Sequence, residues 1–181
     1  MGNVRGGMGP DQARWFERRA AQLLEQDVPA ADIAVFSLFF NMLSASNAAS
    51  SVIEARALRP RGLTWGSFRT LFTLMVLGDM HPTQIATRSG VSDAAVSGVL
   101  KTLERQGYLG RSVDTADRRR VRVSITEAGR RLVLDAYRDQ NEVEREIVSL
   151  LSTEERSVIE SASRRLLLAL RPGRPEGGTK D

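Results

Sequence analysis

The 181-residue sequence contains no cysteine and a single histidine. Without thiols there can be no disulfide, thiol redox sensor, cysteine nucleophile or Cys/His zinc site. A metal would have to be held mostly by carboxylates, and no calcium-loop spacing occurs. The one histidine, His81, stands before Pro82 at a predicted helix start. It reads as a capping or surface residue, because general-base chemistry needs a partnered imidazole in a pocket. No glycine-rich phosphate loop follows a strand. These absences argue against an enzyme and leave no cofactor or metal to expect.

Long apolar runs are also missing. The longest, "IAVFSLFFNML", is shorter than the roughly 20 residues of a bilayer-spanning helix, so no membrane partner is expected. The first residues, "MGNVRGGMGP", lack the apolar core of a signal peptide, and the cytoplasm is the expected compartment. Hydrophobic residues at 41% and charged residues at 27% fit a folded soluble chain. The length allows one sizeable core, or one domain with an extension.

What the sequence does have is unevenly placed charge. The formal net charge is +4. Residues 88–122 hold eight Lys/Arg (Arg88, Lys101, Arg105, Arg111, Arg118, Arg119, Arg120, Arg122) against four acids (Asp93, Glu104, Asp114, Asp117). The rest of the chain balances at 18 of each sign, so the whole excess lies in one segment. An anionic partner meeting one face would require that arrangement.

Residues 1–10 and 173–181 read as flexible tails. "PDQARWFERRAAQLLEQ" places Trp15, Phe16, Ala20, Leu23 and Leu24 at helical spacing, starts at Pro10 and Asp11, and is broken by Pro29. A long helix over about 31–57 is apolar around most of its circumference in its first half, and must be covered by more than one neighbour. "RPRG" reads as a turn. The next helix, "LTWGSFRTLFTLMVL", has Thr64 as its N-cap. A short helix, "HPTQIATRSG", has Pro82 in its first turn and Gly90 closing it.

Ser92 caps the helix "VSDAAVSGVLKTLERQG", and Gly107 stops it. Its buried stripe is Val96, Val99, Leu100 and Leu103, and its outer face carries Ala94, Ala95, Ser97, Gly98, Lys101 and Arg105. "YLGRSV" and "RVRVSI" read as two strands of a hairpin with "DTADRR" at its tip. Alternation turns Val121, Val123 and Ile125 one way and Arg120, Arg122 and Ser124 the other. Thr126 caps a long helix, and Ser152 with Glu155 forms a capping box for the last. Leu150, Leu151, Val158, Ile159, Leu166, Leu167, Leu168 and Leu170 give these two a broad apolar surface.

Helix, short helix, glycine turn, small-residue helix and hairpin, in that order, make a helix-turn-helix followed by a wing. In that motif the second helix lies in the major groove. Small outward residues let its backbone approach base edges, while Lys101 and Arg105 reach phosphates. Ser92 and the amides at the helix N-terminus can take a phosphate as well.

Residues 63–129 resemble the MarR family of winged-helix transcription regulators. The likeness is carried by "LTWGSFRTL", "IATRSGVS", "LERQGYLGR" and "DTADRRRVRVSITEAG". The last matches the family's wing signature: an acid, any residue and an arginine before a strand that ends in Leu/Ile-Thr, then a glycine. Asp117, Arg118 and Arg119 occupy the acid-x-Arg positions; Ile125, Thr126 and Gly129 supply the rest.

The resemblance implies a mostly α fold with a small β-hairpin wing. Residues 61–125 would form the winged helix-turn-helix lobe, and residues 11–60 with 126–172 a helical region that makes a homodimer. The recognition helix, 92–106, would enter the major groove of a pseudo-palindromic double-stranded operator, and the wing, 114–120, the minor groove. Arg119 would enter that groove, Asp117 would orient it, and Arg118 would sit at the tip near the backbone. The function implied is a dimeric repressor relieved by a small-molecule effector of unknown identity, with Trp65 and Phe68 near the effector's place. One position departs from the family. Where Arg or Lys often follows a Ser/Thr on the recognition helix, Gly98 follows Ser97, at a helix cost of about 1 kcal/mol against alanine. The competing expectation is a winged-helix interaction module that binds an acidic protein without DNA.

Overall fold

The computed structural model describes residues 9–90, 92–114 and 120–170. Apart from Gly9 and Pro10, the two expected tails lie outside the described residues. The chain divides into two compact units, residues 1–143 and 144–181.

The first unit opens with α1 (Pro10–Asp27) against α2 (Ile33–Ile53). Phe16 stacks on Phe40 at 5.7 Å between ring centroids, Phe40 on Phe36 at 5.9 Å, and Asn41 Nδ2 donates to Glu17 Oε1 at 2.9 Å. Asp32 caps α2 by accepting from the Val35 N–H. The helix does not stop at Ile53. A π turn, Glu54–Leu58, and a 3-10 turn, Arg59–Arg61, carry it on to Gly62. Pro60 has no N–H for the carbonyl four residues back, so an α ladder cannot pass through it. The turn expected at "RPRG" is therefore helical as far as Arg61.

This continuation corrects the reading of the apolar run as too short for a bilayer. Ile33–Arg61 spans 29 residues and contains an 18-residue window of mean hydropathy 1.3, none of it buried. By length and composition it could cross a membrane. Val35, Leu38, Phe39, Met42 and Leu43 are all exposed along it.

Three helices follow: α3 (Trp65–Leu77), α4 (Pro82–Ser89) and α5 (Asp93–Arg105). Thr64 accepts from the Ser67 N–H at 3.1 Å and Ser92 from the Ala95 N–H, so both predicted caps are in place. Strands β1 (Leu109–Val113) and β2 (Val121–Ile125) pair antiparallel, Leu109 opposite Ile125 and Val113 opposite Val121. Thr126 then starts α6 (Glu127–Ser149), accepting from the Gly129 N–H at 3.1 Å and donating to the Gly107 carbonyl at 2.8 Å.

Leu58, Leu63, Leu71, Leu74, Ile85, Leu100, Leu103, Val123 and Val133 are fully buried. They come from the end of the second helix, the turn after it, α3 to α6 and β2, so one core ties the helix-turn-helix to its wing. Each such side chain contributes about 1.5–3 kcal/mol. Met80, between α3 and α4, adds a fragment of a third strand. Its N–H donates to the Val123 carbonyl at 3.2 Å and its carbonyl accepts from the Val123 N–H at 2.9 Å.

The second unit holds the last turn of α6 and α7 (Thr153–Ala169). Ser152 accepts from the Glu155 N–H at 3.2 Å and Glu155 Oε2 from the Ser152 N–H at 2.7 Å, the predicted capping box. The Glu154 carboxyl is held below its ordinary value by its own backbone N–H and by the Ser152 hydroxyl. Arg156 Nε reaches the Val148 carbonyl at 3.0 Å. No residue of α7 is buried, and Leu150, Val158, Ile159, Leu166, Leu167, Leu168 and Leu170 are exposed.

Candidate nucleic-acid interface

The candidate interface begins with α5. Val96, Leu100 and Leu103 are buried and Val99 half-buried, on the side that packs against α3 and α4. At 100° per residue, Ser97, Gly98, Lys101 and Arg105 fall on the opposite side, and all four are exposed. Ala95 is exposed beside them, and Ser92 is exposed at the N-cap. Ala94 lies in the first turn of the helix, but its side chain is outside the described set. An alanine Cβ at Gly98 would meet nothing within 4 Å, so this face is open.

The approach to α5 is set by Gly90, whose φ of +65° is left-handed. That conformation is strained for a residue with a Cβ and free for glycine. It ends α4 with the Gly90 N–H on the Ala86 carbonyl, and α5 begins three residues later.

Four described cations of the basic segment, Lys101, Arg105, Arg111 and Arg122, fall into two groups. Arg111 Nε donates to Glu104 Oε2 at 2.9 Å, so this pair is neutralised. Arg122 Nη1 lies 3.5 Å from Asp114 Oδ2, and its Nη2 donates to the Asp79 carbonyl at 2.6 Å. Among the described residues, neither Lys101 nor Arg105 has an ion-pair partner. The free positive charge of α5 therefore sits on its exposed face.

The base of the wing departs from the sequence reading. Asp114 was expected at the tip, but its N–H donates to the Arg120 carbonyl at 2.9 Å and its side chain is only 8% exposed. It closes the hairpin. His81 was expected as a cap or a surface residue. Its backbone does stand at the N-cap of α4, with its N–H on Gln84 Oε1 at 3.0 Å, but its ring makes no cap. The ring turns instead to the wing, with Nδ1 3.0 Å from the Val121 carbonyl oxygen and Nε2 3.3 Å from Asp114 Oδ2. Leu77, Asp79, Met80, His81, Gln84, Arg88 and Arg122 line a cavity of about 380 Å³ at this junction. The Met80–Val123 bridge brings these groups together, His81 meeting Val121 across 40 positions, and no local spacing announces it.

Asp117, Arg118 and Arg119, the wing residues singled out in the sequence, lie outside the described residues. Trp65 and Phe68 are placed. Trp65 is half-buried and Phe68 buried, in a ladder that runs Trp65, Phe68, Phe72, Tyr137 with centroid spacings of 6.3, 5.6 and 5.9 Å.

A tight glycine turn, a helix with small residues and free cations on its open face, and a hairpin joined to the same core define a winged helix-turn-helix regulator. Residues 63–121 match the model of the MarR family. The chain is 29% identical over 146 residues to the uncharacterized HTH-type transcriptional regulator YwaE of Bacillus subtilis, covering 81% of this chain and 85% of that one. It is 35% identical over 100 residues to the uncharacterized HTH-type transcriptional regulator Mb0904 of Mycobacterium bovis, covering 55% and 69%. Among solved structures it resembles a mutant MarR from E. coli complexed with operator DNA. The TM-score is 0.67 at 18% identity, over 80% of this chain and 98% of that one, a likeness of fold. The chain belongs to the MarR family, whose members are DNA-binding transcription regulators and not enzymes.

Proposed function

We propose that the chain is a dimeric repressor that holds a pseudo-palindromic operator and is released by a small molecule. The observation that carries this reading is the open face of α5, where Ser97, Gly98, Lys101 and Arg105 are exposed opposite the buried stripe. Residues 92–106 lie in the major groove, with Ala94, Ala95 and Ser97 toward base edges and Ser92, Lys101 and Arg105 on phosphates. The wing, 114–120, lies over the minor groove. There Arg119 inserts where narrow width concentrates negative potential, Asp117 orients it, and Arg118 stays at the edge.

Residues 61–125 form the DNA-binding lobe, and 11–60 with 126–172 the dimerisation region. The exposed apolar faces of α2 and α7 are covered by a second copy and not by lipid, and the chain works in the cytoplasm, where the DNA is. The effector, of unknown identity, acts beside Trp65 and Phe68, and it can release DNA only by binding one arrangement of the lobes better than the other. Fluorescence anisotropy with a duplex selected by the wild-type chain tests the reading. Arg119→Ala weakens binding by about 1–3 kcal/mol. Affinity that is unchanged in this variant removes the wing's role. A chain that holds an acidic protein but no duplex at low salt is an interaction module instead.

A further inference from the structure

The contacts of His81 are unusual for an imidazole. Both ring nitrogens face acceptors: the Val121 carbonyl oxygen at 3.0 Å from Nδ1, and the Asp114 carboxylate at 3.3 Å from Nε2. A neutral imidazole carries one N–H, so either tautomer would turn a lone pair toward an oxygen. Only the imidazolium offers an N–H to each. The ring is 15% exposed and the Asp114 side chain 8%, so little water stands in for a missing donor.

The position matters as much as the chemistry. Asp114 is the residue at which the chain leaves β1, and Val121 is the first residue of β2. His81 belongs to neither strand; it begins α4, the first helix of the helix-turn-helix pair. One ring therefore holds both legs of the wing, at the point where the wing departs, to the element that presents α5.

We propose that His81 is a positioning residue for the wing: as an imidazolium it clasps Val121 and Asp114 to the start of α4, so that affinity for DNA depends on its proton. This rests on the reading of the wing as a DNA-contacting element.

Among the described residues, the charged groups at this junction are Asp114, against the ring, and Arg122, both from the hairpin, with Asp79 from the turn after α3 and Arg88 from α4 lining the same cavity. Arg122 shares Asp114 Oδ2 with the ring and is anchored on the Asp79 carbonyl. When His81 loses its proton, Arg122 still holds Asp114, and the hairpin stays paired while the clasp to α4 loosens. If the clasped wing binds DNA better, DNA binding must raise the proton occupancy of the ring, and affinity must fall as pH rises.

The chain has one histidine, which isolates the effect. The test uses the full chain and a duplex that the wild-type chain selects from a random pool, with anisotropy read at fixed salt from about pH 5.5 to about pH 8, the range in which imidazoles change charge. Wild type loses roughly three- to tenfold in affinity across this range. His81→Gln and Asp114→Asn are flat over the same range and bind at the weaker, high-pH level, with circular dichroism confirming that each is folded. Nitrogen-15 spectra of the wild-type imidazole give a reading that needs no variant. Both ring nitrogens carry protons at the low end, and the amides of Asp114 and Val121 shift as one proton is lost.

Wild-type affinity that is flat in pH, or a pH profile that His81→Gln reproduces, overturns the proposal. So does an imidazole titration that leaves those amides unmoved. A wild-type chain that binds no duplex at low salt overturns the DNA-binding reading and this inference with it. A wild-type chain that binds without pH dependence overturns this inference alone.

Discussion

Arg61 Nε donates to Asp139 Oδ2 at 2.6 Å and ties the end of the helical stretch that starts at Ile33 to α6, 78 residues further on. The Arg61 guanidinium holds the Asp139 carboxyl below its ordinary value against a smaller opposing effect of burial, and the Arg61 value is raised in turn. A carboxyl depressed in the folded state stabilises at pH above its unfolded value, about 3.9, and that stabilisation is lost as pH falls through the folded value. Both side chains are a third or more exposed, at 33% and 42%, so solvent screening keeps the effect small. Asp139→Asn lowers the melting temperature slightly at neutral pH, and the gap from wild type closes as the pH drops below about 4. Thermal melts at the two pH values check it, and a gap that persists in acid excludes the pair as its source.

Gly129 sits where α6 starts beneath the end of α5. A Cβ there would collide with the Tyr108 carbonyl oxygen and lie 2.9 Å from Ile125 Cγ1. The Tyr108 carbonyl cannot withdraw without losing the Thr126 N–H, 3.0 Å away. Gly129→Ala therefore costs about 1–3 kcal/mol, measured by urea unfolding. A neutral result would mean that the start of α6 yields easily.

Gly98 is the opposite case. A methyl there meets nothing in the protein, and Gly98→Ala should raise stability by about 0.5–1 kcal/mol through helix propensity. If the α5 backbone closes on DNA as proposed, the same change weakens duplex binding while it strengthens the fold. A variant that gains stability and keeps full affinity places Gly98 away from the duplex.

Leu38 is 72% exposed and Phe39 56%, on a stretch whose 18-residue window has no buried share. Leu38→Glu should turn a dimer into a monomer in light scattering without detergent. A wild-type chain that is monomeric, or soluble only with detergent, would assign this face to another occupant.

Much of this was legible from short-range signals. Thr64, Ser92, Thr126 and Ser152 mark helix starts because each hydroxyl accepts an amide within three residues, a relation that sequence displays directly. The α5 face was legible from 3.6-residue periodicity alone. The extension of the second helix to Arg61 was hidden, because Pro60 reads as a break, whereas π and 3-10 turns carried the chain across it. The wing root was hidden for a different reason. His81 meets Asp114 and Val121 only through the Met80–Val123 pairing, a tertiary relation with no periodicity to betray it.

The central claim is that the open face of α5 meets phosphate, and the slope of log affinity against log salt tests it most directly. Each phosphate contact contributes about −0.9 to that slope for duplex DNA. The Lys101→Ala/Arg105→Ala double variant should flatten the wild-type slope by about 2 and weaken all duplex sequences alike. A double variant with the wild-type slope and affinity would contradict the claim.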